Sequence, residues 1–293
     1  MGRPNKFQIM RLFKEEIEIA LNEANHPILT NEDMLGILEA HRSEWKLPSS
    51  ATLEDFLYFL EQHGKIKGIT LDFPKKKMVR YTQNPADLSL LELACSLGKT
   101  AYLSHYTAAF YHDLTDNIVK TIYVNQEQSV KASQPWTLTQ EAIDQAFARP
   151  MRESNNVAVH DDQKIVLLNG KNTGNLGVQQ EEHIRFSNIE RTLIDIAVRP
   201  EYAGGAFEVL EIYKRAKGEA SVNKLYSYLK KLEHAYPYHQ SIGFYLERAG
   251  YKESTVRLME KFPINLDFHL AYQIQDSHYS ERWKLHYPAS MDS

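Results

Sequence analysis

Apolar positions in the first sixty residues recur with a helical period. Met10, Phe13, Ile17, Ala20, Leu21 and Ala24 share one face and predict a first helix. It stops at "NHP", where Pro27 disfavours helical geometry at His26. Thr30 with Asp33 three residues on predicts the capped start of a second helix, whose apolar side is Met34, Leu35, Ile37 and Leu38. After the polar connection "HRSEWKLPSS", Thr52 and Asp55 repeat the cap. The third helix places Leu53, Phe56, Leu57 and Leu60 at i, i+3, i+4 and i+7, and Gly64 ends it as a C′ glycine.

The period then changes from helical to alternating. In "KIKGITLDFPKKKMVRYTQ", Ile69, Leu71 and Phe73 lie on one side, a turn follows at "FPKKK", and Val79 and Tyr81 continue beyond it. Three helices followed by a basic-tipped hairpin is the order of a winged helix–turn–helix, here spanning residues 1–83, with the ribbon expected to project toward a duplex. "NPADLS" reads as a linker.

Residues 86–293 read as a larger mixed α/β domain, so the fold class expected is α+β. "LSLLELACSLGKTAYLSHYTAAFYHDLT" predicts two helices. "KTIYVNQ", "KIVLLNG" and "HIRFS" predict strands, and a helix is expected from about Thr139. Helices are expected near 189–199, 205–217, 221–234 and 241–249, and "INLDFHLAYQ" alternates like a strand. This order is too irregular for a doubly wound sheet.

Charge changes the picture in one place. The net charge of −4 argues against nucleic acid coating the whole chain. Yet Arg3, Lys6, Arg11 and Lys14 stand without an acid in residues 1–14. Lys65, Lys67, Lys75, Lys76, Lys77 and Arg80 face only Asp72 in residues 64–80. Two basic blocks around an acidic middle point to a focused anion-binding face. Cys95 is the single cysteine, which excludes an intrachain disulfide and a cysteine-based zinc site. With no apolar run beyond Phe56–Leu60 and no secretory h-region at "MGRPNKFQIMRLF", no membrane association is expected, and the cytoplasm is the expected compartment.

Motifs for catalysis are weak. "LGKT" at 97–100 has Leu93 where a phosphate loop needs glycine, and reads as a helix end. "GKNTGNLG" at 170–177 has the wrong glycine spacing for a dinucleotide fingerprint and reads as a hairpin or loop. His105, His112, Asp113 and Asp116 lack the spacing of a metal site. The chain contains no Gly-Ser pair and no G-x-S-x-G elbow. No cofactor and no metal are expected, and no catalytic group is assigned. In "SNIERTLIDIAVRPEYAGG", Ser187 and Glu190 match a capping box. Ile189, Leu193, Ile196 and Ala197 form the buried stripe, and Asp195 and Arg199 form an i, i+4 pair. Its charges read as structural.

The basic hairpin reads the other way. Lys75, Lys76 and Lys77 at a tip can reach phosphate or the minor groove, with Lys65, Lys67 and Arg80 behind them. Base reading would fall to the start of the third helix, where Ser49, Ser50 and Thr52 stand beside Glu54, while Arg42 and Lys46 could clamp the backbone. Glu54 and Asp55 complicate this, since acids near DNA repel phosphate.

"YLSHYTAAFYHDLTDNIVKTIYVN", "RFSNIERTLIDIAVRPEYAGG", "SIGFYLERAGY", "INLDFHLAY" and "WKLHYP" together resemble the AbiEi family, the antitoxin half of bacterial abortive-infection toxin–antitoxin pairs. The likeness covers most of residues 100–290. One departure is "HDLT", where the family pattern has glycine at the position of Asp113. The resemblance implies a DNA-binding autorepressor that acts on its own promoter, with inverted repeats suiting paired copies. It also implies an antitoxin that counteracts a cognate nucleotidyltransferase toxin without a stable complex. Two other readings stay open: an enzyme acting on nucleic acid or on the toxin through Glu190, Asp195 and Glu201, and a stand-alone ligand-responsive transcriptional regulator.

Overall fold

The computed structural model describes residues 4–24, 26–130 and 137–292; Arg3 of the first basic block lies outside them. The fold is mixed α+β. The N-terminal part begins with α1 (Lys6–Leu12) and α2 (Lys14–Glu23), so the expected first helix is two. Phe13 leaves helical geometry between them (φ −104°, ψ 25°), and Met10 on one and Ile17 and Leu21 on the other enter the same core. α3 (Asn31–His41) and α4 (Leu53–Gln62) start at Thr30 and Thr52, each with a complete capping box. Gly64 ends α4 at φ +62°, with Lys65 N–H donating to the Leu60 carbonyl and Gly64 N–H to that of Glu61. Trp45 and Phe56 are fully buried at the centre of this helical core.

β1 (Lys67–Phe73) and β2 (Lys76–Thr82) form the expected hairpin, paired from Lys67↔Thr82 to Phe73↔Lys76 around Pro74–Lys75. Its surroundings differ from expectation. Ile69, Leu71 and Phe73 do not project into solvent; they are buried in one cluster with Leu93, Leu97, Val124, Ile165 and Leu167 of the larger part. Each such side chain contributes roughly 1.5–3 kcal/mol on burial, so the ribbon is anchored along this face. Tyr81 on the other face packs into the N-terminal helical core, and its backbone pairs with Leu29.

The larger part carries a six-stranded sheet. Its strands are β3 (Tyr102–Leu103), β4 (Thr121–Asn125), β5 (Val157–His160), β6 (Gln163–Leu168), β7 (Val178–Glu181) and β8 (Ile184–Ser187), in the order β5-β6-β4-β3-β8-β7. The β4–β6 and β3–β8 pairs are parallel and the rest antiparallel. The successive residues Ile165, Val166, Leu167 and Leu168 are all buried, because the sheet is covered on both faces. α5 (Leu90–Cys95) and the hairpin cover one face; α6 (His105–Tyr111) contributes Tyr106 and Tyr111 beside β4 and β8.

α7 (Gln140–Phe147), α8 (Ile189–Val198), α9 (Ala206–Arg215), α10 (Val222–Leu232), α11 (Tyr238–Arg248) and α12 (Glu253–Val256) build the helical remainder. A three-stranded sheet closes it, β10 (Ser277–Ser280) and β11 (Leu285–Pro288) with β9 (Phe268–His269). Trp283 is fully buried there. No helix of the described residues is long and apolar enough to cross a membrane.

Candidate functional site

The basic residues of the N-terminal part divide into two groups. Some are engaged within the molecule. Arg42 binds Glu39 through Nε (3.0 Å) and Nη2 (2.5 Å), while Nη1 donates to the carbonyls of Pro48 (2.9 Å) and Ala51 (3.0 Å). It closes the connection between α3 and α4 instead of facing outward to a phosphate. Lys65 pairs with Glu18 at 2.8 Å. Arg80 is buried, with Nε 3.1 Å and Nη2 2.9 Å from the Ser96 carbonyl oxygen and Nη1 2.8 Å from that of Val79. It joins the hairpin to the larger part. Thr52 spends its hydroxyl on Asp55, donating to Oδ2 at 2.8 Å and accepting from the Asp55 N–H at 3.2 Å.

The other group faces solvent. Ser49, Ser50 and Lys46 are exposed, Lys46 in left-handed backbone at φ +55° with its ammonium 6.0 Å from the Phe13 ring centre. Lys67, Lys75 and Lys76 are exposed and have no acidic partner among the described residues. Lys77 lies 3.3 Å from Asp72 across the hairpin, with both side chains mostly in water. Such a pair is worth ~1 kcal/mol or less and yields readily to a phosphate. The acids at the start of α4 also divide. Lys6 sits 2.5 Å from Asp55, and that contact, with the Thr52 backbone N–H, holds the Asp55 carboxyl below its ordinary range. Glu54 remains exposed, with no basic partner among the described residues.

Beside this edge, a cleft of about 690 Å³ runs between the N-terminal part and the sheet, with Lys76, Lys77, Lys99 and Arg185 among its walls. Lys99 crosses it to Glu32 at 2.9 Å, and His26 meets His183 edge-to-face at 5.4 Å. Arg185 is turned to backbone carbonyls, Ala101 at 2.9 Å and Gly98 at 2.9 Å, along with that of Lys99. The "LGKT" stretch therefore ends α5 and bridges to α3.

A second charged cluster was not legible from spacing. Arg191, buried on α8, donates from Nε to Asp195 at 2.8 Å and from Nη1 to the Leu176 carbonyl at 2.8 Å, and its Nη2 lies 3.4 Å from the Tyr102 hydroxyl. Burial pulls the guanidinium pKa down more strongly than any one neighbour raises it, but Asp195, Tyr102 and Glu127 together reverse this and the net shift is upward. Glu127 accepts from the N–H groups of Thr173 (2.7 Å) and Asn175 (3.1 Å) and from the Thr173 hydroxyl, fixing the glycine-rich loop 170–177 over the cluster. Asp195 thus pairs with Arg191, not with Arg199. Arg199 reaches the Arg152 carbonyl at 2.8 Å and stacks on Tyr202. The expected Ser187–Glu190 capping box does not form, and a simple cap stands one residue later. Asn188 is the cap, accepting from Arg191 N–H at 3.0 Å, while Ser187 bonds Thr192 at 2.8 Å. Glu190 reaches forward to Ser221 N–H (3.0 Å) and Lys224 (2.9 Å).

Asp113 takes φ +56° after α6, a left-handed position that glycine adopts without a Cβ penalty and aspartate tolerates. His112 Nε2 contacts the Ser187 carbonyl at 2.8 Å, and Asp116 pairs with Arg215 at 2.5 Å. Among the described residues no group of three or more His, Cys, Asp or Glu side chains is placed to hold a metal.

No protein-family model matches the chain, and no curated protein matches it. Among solved structures, the chain is similar to the crystal structure of RV2827C protein from Mycobacterium tuberculosis. The TM-score is 0.56 at 13% sequence identity, over 92% of this chain and 90% of that one. At this identity the likeness is one of fold: an α+β arrangement shared along nearly the whole length.

Proposed function

We propose that the chain is a DNA-binding transcriptional autorepressor and antitoxin, with residues 1–83 acting as a winged helix–turn–helix. The observation that carries this reading is the open lysine edge of the hairpin. Lys67 at the start of β1 and Lys75 and Lys76 at the turn are solvent-exposed with no acidic partner among the described residues, and Asp55 at the start of α4 is already neutralised by Lys6. Free ammonium groups at a hairpin end bind phosphate by releasing counterions. Exposed Ser49 and Ser50 at the start of α4 offer hydroxyls to base edges. The wing is a braced one, seated on the larger part by Ile69, Leu71 and Phe73, with only its end and outer edge open to a duplex.

The antitoxin half of the proposal rests on the sequence resemblance across residues 100–290. The alternative of an enzyme has less support at two of its three carboxylates, because Glu190 holds the start of α10 and Asp195 neutralises Arg191. Glu201 keeps a buried oxygen without a hydrogen-bond partner among the described residues, and burial raises its pKa. Two experiments test the proposal. Gel-shift titration on DNA upstream of the chain's own gene should show saturable binding. Co-expression with the nucleotidyltransferase encoded beside it should restore growth. Absence of any shift at low salt removes the DNA-binding half, and failure of rescue by a folded chain removes the antitoxin half.

A further inference from the structure

A cavity of about 470 Å³ opens between α10, α11 and the segment 262–266, far in sequence from the basic hairpin. Its walls are mostly aromatic and aliphatic, including Leu229, Tyr236, Tyr238 and Phe262. The volume falls within the range of small-molecule sites. Two lining residues carry buried polar atoms without a hydrogen-bond partner among the described residues, Gln240 Oε1 and His234 Nε2.

Gln240 is the more telling. The side chain is fully buried, and its Nε2 lies 2.6 Å from the Trp283 carbonyl oxygen, 3.0 Å from that of Leu266 and 3.1 Å from that of Lys284. Three carbonyl acceptors demand the NH₂ end, so the amide orientation is fixed and Oε1 is left as an acceptor with nothing to accept. A buried acceptor without a donor is costly, ~1–3 kcal/mol, and a ligand that brings a donor recovers that cost. Burial holds His234 down to about 4, so its ring is neutral at physiological pH, and neither polar atom carries a charge to attract an ion.

We infer that this cavity binds a small, planar, uncharged aromatic molecule carrying an N–H or O–H donor, which Gln240 Oε1 accepts while Tyr236, Tyr238 and Phe262 enclose the ring. The site stands apart from the lysine edge and owes nothing to DNA binding. It gives the larger part a ligand-sensing capacity.

The test uses the full chain and indole as probe, followed by calorimetry and by amide chemical shifts in two-dimensional NMR. Indole should bind saturably, with a Kd of roughly 10–1000 μM as befits so small a ligand, and shift amides around Tyr236, His239 and Phe262. Indene, of the same shape without the N–H, should bind about tenfold more weakly. Asn265→Trp, at an exposed position of the lining, should plug the mouth and abolish binding. Ala235→Trp is a second plug, should the first variant fail to fold. Indole that does not saturate overturns the inference. So does equal binding of indole and indene, or binding unaffected by either plug.

Discussion

The guanidinium of Arg80 and the backbone carbonyl of Ser96 are joined twice, by Nη2 at 2.9 Å and by Nε at 3.1 Å. Sixteen positions apart, they tie the second hairpin strand to the turn after α5. An arginine expected at a DNA surface is instead a strut within the molecule. The same joint explains why the ribbon does not project: Ile69, Leu71 and Phe73 are drawn under the larger part with it.

Arg80→Ala should therefore act on stability. Hydrogen bonds from a charged, buried donor contribute about 1.5–3 kcal/mol each, offset in large part by the cost of burying the guanidinium, so a net loss of about 2–3 kcal/mol is expected, read from the urea midpoint. Its DNA affinity at low temperature should keep the wild-type salt dependence. A flattened salt dependence with an unchanged midpoint would place Arg80 at the DNA after all.

Asp195→Asn separates a structural from a catalytic role for the buried pair with Arg191. Removing one partner of a buried ion pair costs ~3–5 kcal/mol, somewhat less here because the amide oxygen can still accept from Nε. Thermal denaturation should show the loss, and toxin protection at permissive temperature should persist. A stable variant that no longer protects would speak for catalysis.

Acidification should loosen the fold through half-buried histidines. Burial lowers His105, His234 and His239 to about 4, each opposed or helped by its neighbours: Asp195 against Arg191 and Arg199 around His105, Asp195 against Arg191 and Lys171 around His234, and the Pro263 carbonyl at His239. Folded values below the unfolded one near 6.5 mean that the fold excludes the proton. The stabilisation is complete above about 6.5 and is lost as pH falls toward 4. Urea midpoints measured from pH 7.5 down to 4.5 should decline. His105→Asn should make the decline shallower, because asparagine tolerates the φ of +51° there and does not titrate. A flat or rising midpoint contradicts this.

Where local physics decides geometry, the sequence was readable. Thr30–Asp33 and Thr52–Asp55 are capping boxes as expected, and Gly64 takes the left-handed C′ position. The helices α8 to α11 fall within a few residues of their expected spans. Short strands were not readable: Tyr102–Leu103 is two residues long, and β5, β7, β10 and β11 each have only four. Their existence depends on partners distant in the chain. "INLDFHLAYQ" yields only Phe268–His269 as strand.

The candidate sites show the same division. Exposure of Lys75 and Lys76 follows from a turn signal, whereas the inward turn of Arg42 and Arg80 depends on carbonyls that no residue pattern reveals. The acid-to-base order favoured Asp195 with Arg199. Burial of Arg191 reversed that choice, since a guanidinium inside the fold needs the nearer carboxylate. In Ser187–Asn188 both residues can cap, and backbone geometry selected the second.

The salt dependence of the proposed DNA binding bears most directly on the lysine edge. Equilibrium constants for promoter DNA, measured across a series of salt concentrations, give the slope of log Kobs against log salt. Replacing Lys75, Lys76 and Lys77 by alanine should reduce that slope by about 2–3 and weaken binding alike on promoter and unrelated DNA, with the urea midpoint unchanged. An identical slope in the triple variant would contradict the account.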